Sequence, residues 1–447
     1  MQTMSLKKIY SSRCWIGNRL RPATICFDNA GIRNISEEKL PGAVDHGDHI
    51  IMPGVIDAHV HINEPGRTDW EGFASATAAA AEGGVTTVVD MPLNAHPVTT
   101  TVKAFEEKLA AANNKLQVNC GFYGGLIPGN LADIEPLIKA KVLGIKCFLT
   151  HSGIDEFPNV READLEAAMQ VMAKYNIPLL AHCELFDKAV LVPHEDHTSY
   201  QHYLNSRPRQ WENNAIALMI KLCRKYNCKT HIVHVSSSDA LDMIAEAKKE
   251  GLPLTAETCA HYIYFNAESI PDKNTLYKCA PPIREKENNE LLKEALKNGL
   301  LDFITTDHSP APPDIKEIFS GDLTKAWGGI AGLQFLLPAA WTAMKDTISL
   351  EKFIPLLTEH PSDFLNLQQH KGKLAEGYDA DMLIWSPTEK TDTSAAAVRH
   401  RHKISPYIGE ELFGKVYQTF VNGNLAFDSY NTATTGLYGK PVFNELL

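Results

Sequence analysis

Pro53-Gly54-Val55-Ile56-Asp57-Ala58-His59-Val60-His61 is an apolar run that ends in His-x-His. Side chains along a strand alternate between faces, so His59 and His61 share a face at the strand's carboxyl end. Two neutral imidazoles at that spacing suit a divalent metal. The same pair, taken alone, is equally two hydrogen-bonded histidines near a strand end, so the rest of the chain decides between the readings.

Outward from this run, strand-like apolar segments alternate with helical stretches in the rhythm of βα units and a parallel sheet. Eight such segments are expected: Ile51 to His59, Thr86 to Met91, Leu116 to Phe122, Gly144 to Phe148, Ile177 to His182, Lys229 to His234, Leu252 to Glu257 and Leu301 to Asp307. Between them lie amphipathic or Ala-rich stretches, Glu71 to Ala81, Thr101 to Ala112, Ala163 to Lys174, Trp211 to Tyr226, Ser238 to Lys249 and Asn288 to Asn298. The pattern predicts an α/β fold, a (β/α)8 TIM barrel with its chemistry at the carboxyl ends of the strands.

Those ends carry metal-ligand types. Strand one ends in His59 and His61, strand five in His182, strand six in His234 and strand eight in Asp307. In strand four, Lys146 stands inside the apolar run Gly144-Ile145-Lys146-Cys147-Phe148. A buried lysine without a partner is driven toward the neutral amine, and a neutral amine can take up carbon dioxide as a carbamate. Each residue has a plainer reading: an ion pair for Lys146, a satisfied core histidine for His182 or His234, a helix N-cap for Asp307. All of them plain at once would require five strand ends to carry these types by accident.

The flanks have a different texture. Residues 1–52 read as short strands broken by polar turns, Lys8 to Tyr10, Ala23 to Phe27 and Gly31 to Ile35. Residues 53–366 are assigned to the barrel, with a helix expected over 352–366. Residues 367–447 return to turns and strands, with a hairpin signal at Asn422-Gly423 between apolar runs. The two terminal pieces are expected to complete one another as a small β-sandwich.

Composition narrows the class. The chain has 447 residues, 44% hydrophobic and 22% charged, with a net charge of −11 and charges of both signs interspersed, which argues against nucleic acid or an anionic membrane as partner. No apolar run approaches a membrane span and no leader pattern is read at the start, so a cytoplasmic protein is expected. Nine cysteines include no C-x-x-C pair, which favours reduced thiols over disulfides or a thiolate zinc site.

Longer stretches resemble a known family. His59-Val60-His61-Ile62-Asn63-Glu64-Pro65-Gly66-Arg67, Asp90-Met91-Pro92-Leu93-Asn94, Gly144 to Phe148, Lys278-Cys279-Ala280-Pro281-Pro282-Ile283-Arg284, Lys325 to Gln334 and His400 to Tyr407 are similar to the amidohydrolase superfamily. Within it they resemble the cyclic amidases, the branch of dihydroorotases, hydantoinases and allantoinases, and most of all the allantoinases. The resemblance implies two divalent cations, zinc first and cobalt, manganese or iron as alternatives. His59 and His61 would hold the more buried ion and His182 and His234 the more exposed one. Lys146, modified to N6-carboxylysine, would bridge both, and Asp307 would bind the buried ion and act as acid and base. The implied reaction is opening of the cyclic amide of allantoin to allantoate, in purine breakdown, by a homotetramer.

One position bears on the substrate. Dihydroorotases carry an arginine two residues after the second histidine to hold a carboxylate, and here that position is Asn63. An amide cannot replace a guanidinium fork, but it can pair with a ureido group, which both donates and accepts. Asn94, Ala280 and Gly328 are the other expected substrate contacts. Hydantoinase or dihydropyrimidinase activity, dihydroorotase activity and a non-catalytic scaffold are the competing expectations.

Overall fold

The computed structural model describes residues 6–190, 196–431 and 436–445, so the outer ends of the two terminal pieces lie outside the described residues. The β-rich termini form one eight-stranded sheet. Its path runs through Asn424–Asp428, Phe413–Val421, Met382–Lys390, Ile50–Pro53, Lys7–Trp15, Leu20–Asp28 and Gly31–Ser36, and Val44–Asp45 pairs beside Lys7–Trp15. Ile50–Pro53 stitches the halves together, parallel to Lys7–Trp15 and antiparallel to Met382–Lys390. The sheet folds over on itself: Phe27 and Phe420, from its two halves, meet edge to face at 5.4 Å, and Lys7 Nζ donates to the Gly423 carbonyl at 2.7 Å. Ile25, Phe27, Ile51, Ile384 and Phe420 fill the space between the halves. The hairpin turn at Asn422 and Gly423 has positive φ at both residues, 49° and 74°, the geometry that matches strand twist.

The apolar run Ile51 to His59 is two strands rather than the single barrel strand expected. Ile50–Pro53 belongs to the terminal sheet and Val55–Val60 to the barrel. They part at Gly54, where a Cβ would meet Thr86 Oγ1 at 1.9 Å. Only a residue without a side chain passes there.

The barrel follows as parallel strands Val55–Val60, Val85–Asp90, Asn119–Phe122 with Gly124–Gly125, Ile145–Phe148, Leu179–His182, Thr230–Ile232, Leu254–Cys259 and Phe303–Thr305. The bridge Val60 to His308 and the hydrogen bond from His61 N to His308 O, 2.8 Å, close the eighth strand on the first. The expected third strand, Leu116 to Phe122, begins later and is broken at Tyr123. Its first part pairs with the C-terminal Pro441–Val442, and only Gly124–Gly125 reaches the fourth strand.

The helices sit where apolar periodicity puts them, at Phe73–Glu82, Val102–Ala112, Glu162–Met172, Arg209–Tyr226, Leu241–Lys249 and Lys286–Lys297. The single helix expected over 352–366 is instead Leu350–Phe353, a 3-10 turn Ile354–Leu357, and Glu359–Phe364. Pro355 lacks the N–H that a continuous helix needs there. Among the described residues no helix is long and apolar enough to cross a membrane, and all nine cysteines are free and buried.

Candidate metal centre

Closure of the barrel delivers His59 and His61 to Asp307. Asp57, inside the first strand, accepts hydrogen bonds from the Thr306 N–H and hydroxyl, which locks the last strand against the first. Burial pushes the Asp57 carboxyl up to about 7. Above this clasp, Asp307 Oδ1 lies 3.1 Å from His59 Nε2 and 3.3 Å from His61 Nε2. One ligand atom from each of these three buried residues falls within 4.8 Å of the others.

A second pair faces the first. His182 Nδ1 and His234 Nε2 are 3.0 Å apart, and the His59 and His234 rings lie 5.5 Å apart. His234 and Asp307 have φ of 41° and 45°, a region rarely used by residues with a Cβ and concentrated at functional sites. Both therefore leave the strand's alternation where the chain turns into the mouth of the barrel. Lys146 completes the group. It is wholly buried, its Nζ has no hydrogen-bond partner, and it interacts electrostatically with His59, His61, His182, His234 and Asp307. Burial brings its amine down to about 8.

The donor set fits a cation. Burial pushes His61 down to about 4 and lowers His182 and His234 as well, so these rings offer lone pairs. Burial also works against a charged His59, yet Asp307 and Glu257 on either side raise it. A positive charge is wanted between His59 and Asp307. Burial opposes the Asp307 charge too, but His59 and the hydrogen bonds from both histidines hold its carboxyl well below the usual range. A divalent cation satisfies that carboxylate and the facing imidazoles together.

Two buried glutamates orient the histidines. His59 Nδ1 donates to Glu257 Oε1 at 2.6 Å, and the other Glu257 oxygen meets His231 Nε2 at 3.1 Å. His182 Nε2 lies 2.9 Å from Glu184 Oε2, and Glu184 is gripped through both oxygens by Arg207. Carboxylates that hold the far nitrogen of a ligating imidazole fix its tautomer and direction. Sequence reasoning assigned no role to Glu257, Glu184 or Arg207. Their signals were slight: Glu257 ends the seventh apolar run, and Glu184 stands two residues past His182, as His61 does past His59.

A cavity of ≈ 280 Å³ opens over these groups. Asn94, Ala280 and Gly328 line it, together with Tyr203, Arg207, Lys278, Ser309 and Trp327. Asn94 Nδ2 lies 3.2 Å from His61 Nδ1, and its buried Oδ1 has no partner. Asn63, the expected ureido contact, sits in a turn. It is outside the cavity lining, has φ 67°, donates through Nδ2 to the Pro310 carbonyl at 3.2 Å while its buried Oδ1 has no partner, and its backbone carbonyl accepts from Arg67 N at 3.1 Å. Asparagine's tolerance of the left-handed region in turns explains that placement. Trp327 meets the Trp70 ring at 4.8 Å and donates to the Ser309 carbonyl at 3.2 Å, bracing the loops after the first and eighth strands.

Residues 50–426 match the Amidohydrolase family. An allantoinase from Streptomyces avermitilis is 43% identical over 85% of this chain and 84% of its own length. An allantoinase from Saccharomyces cerevisiae is 41% identical over 88% and 86%. Among solved structures, the L-hydantoinase (dihydropyrimidinase) of Arthrobacter aurescens superimposes with a TM-score of 0.91 at 28% identity, covering 98% of this chain and 100% of that one.

Proposed function

The chain belongs to the amidohydrolase family, and from that premise we propose that it is an allantoinase, a hydrolase that opens the cyclic amide of allantoin to allantoate. The substrate rests on the relatives: proteins described as allantoinases or probable allantoinases match at 34–45% identity, against 28% for the hydantoinase structure. The observation that carries the chemistry is Lys146, an unpartnered buried amine among four histidines and an aspartate.

His59, His61 and Asp307 would hold one divalent cation, and His182 with His234 a second. Nitrogen and oxygen donors suit zinc, with cobalt, manganese or iron also accommodated. The neutral fraction of the Lys146 amine would add to carbon dioxide, forming an N–C bond and releasing one proton, and the carbamate would offer oxygen donors to the cations. When bound, such cations acidify the attacking water and polarise the scissile carbonyl. Asp307, held ionised, takes the proton of that water and delivers it to the departing ring nitrogen as the C–N bond breaks, a transfer worth roughly 10²- to 10⁴-fold. The product acid then loses its proton as allantoate. Asn94 Oδ1 supplies a fixed acceptor for a ring N–H, and the backbone at Ala280 and Gly328 forms the opposite wall. By family likeness we read the working form as a cytoplasmic homotetramer acting on a small molecule, in purine breakdown.

The test is hydrolysis of allantoin by protein reconstituted with zinc, cobalt or manganese plus bicarbonate, with hydantoin and dihydroorotate in parallel. Metal-dependent allantoate formation with little turnover of the other rings supports the reading. Preferred turnover of hydantoin or dihydroorotate keeps the metal chemistry and discards the substrate. Two metals bound with no ring opened discards the enzyme.

A further inference from the structure

Arg207 is the feature of the cavity that the chemistry above leaves unused. It lies between the short helix Tyr200–Asn205 and the helix Arg209–Tyr226, immediately before Pro208, which is extended at φ −65°, ψ 148°. A residue before proline is itself pushed out of the helical region, so the two helices cannot fuse. Arg207 is left on a bend at the cavity wall. Its Nε donates to Glu184 Oε1 at 3.0 Å and its Nη2 to Glu184 Oε2. A guanidinium carries five N–H groups in a rigid fork. Glu184 takes one edge of it, and Nη1 keeps no protein partner among the described residues while the side chain lines the cavity.

The other donors on that wall are committed. Tyr203 Oη donates to the Cys279 carbonyl at 2.7 Å, and Lys278 Nζ is tied to the carbonyls of Ala326 and Thr324. Arg207 is thus an oriented cation with free N–H groups, three barrel strands away from Asn94. Allantoin differs from hydantoin only by the ureido arm on its ring, and that arm ends in a strong carbonyl acceptor. We propose that Arg207 is the specificity-determining residue of this site: its free Nη1 edge takes the ureido carbonyl while the ring lies between Asn94 and Asp307. This rests on the reading of the substrate given above.

The experiment compares Arg207→Gln and Arg207→Lys with wild type, all metal-loaded, measuring kcat and KM separately for allantoin. Hydantoin is followed in parallel as substrate or, where its turnover is too slow, as competitive inhibitor of allantoin hydrolysis. Metal content is determined on the same samples. Arg207→Lys can keep the charge beside Glu184 and loses the second arm of the fork. Both variants are expected to raise KM for allantoin about ten- to a hundredfold, the scale of a hydrogen bond to a charged group, with hydantoin affinity shifted by less than about threefold on the same scale. An unchanged allantoin KM overturns the proposal. So does an equal loss for both rings or a fall in bound metal, because Arg207 would then act only through Glu184 on His182. Failure of wild type itself on allantoin overturns instead the reading of the substrate.

Discussion

His59 and His182 each turn one ring nitrogen toward the candidate metal centre and give the other to a buried glutamate, but the two glutamates are anchored in different parts of the molecule. Glu257 is held by His231, which is stacked on Phe303 inside the barrel and hydrogen-bonded to Thr255 at 2.7 Å. Glu184 is held by Arg207, on a loop that lines the cavity. Burial opposes both charges, yet hydrogen bonds and electrostatic attraction from the flanking groups, His59 and His231 in one case and Arg207 and His182 in the other, bring each carboxyl down to about 2. The local electrostatics are alike and the supports are not. One half of the centre is set by the barrel's packing, and the other is linked to the wall of the cavity.

The strongest way to break the comparison removes what both halves share. Lys146→Ala is expected to lower allantoin turnover by at least ~10³-fold, since metal assistance is worth several kcal/mol, and to reduce metal content by atomic emission. Retained activity with two bound ions would mean that Lys146 bridges nothing. Next, Asp307→Asn touches the inner half alone. Turnover should fall by roughly 10²- to 10⁴-fold through loss of proton transfer, while titration of the stripped protein still finds an ion at His182 and His234.

Glu257→Gln and Glu184→Gln sharpen the contrast directly. Each should weaken one metal position by about 10- to 100-fold, seen as a two-step competition against a chelator in which a different step moves in each variant. Only Glu184→Gln should also raise KM for allantoin, because Arg207 loses its anchor. Identical profiles would erase the distinction between the two halves.

The smallest effect lies in the loops above both halves. Lys316 Nζ is buried and donates to the carbonyls of Lys278 at 2.9 Å, Trp327 at 3.0 Å and Gly329, tying the loops after the seventh and eighth strands together. Lys316→Met should cost about 1–3 kcal/mol for carbonyls left unpaired, read as an earlier unfolding midpoint with metal content unchanged.

The chain's local pattern determined a great deal. Strand alternation put His59 and His61 on one face, the apolar runs set the βα rhythm, and Asn422-Gly423 marked its hairpin, because each depends only on neighbours a few residues apart. The strand ends, with the lysine inside the fourth apolar run, singled out six groups that line one cavity. What only the tertiary structure decided involves partners far apart in sequence: Glu257 behind His59, 198 residues away, the clasp of Asp57 on Thr306 across 249 residues, and the tie of Asn63 to the Pro310 carbonyl across 247 residues. Periodicity says which way a side chain points from its own strand. Which strand end it then meets is fixed by barrel closure and by the path of the loops, and neither leaves a local signature in the sequence.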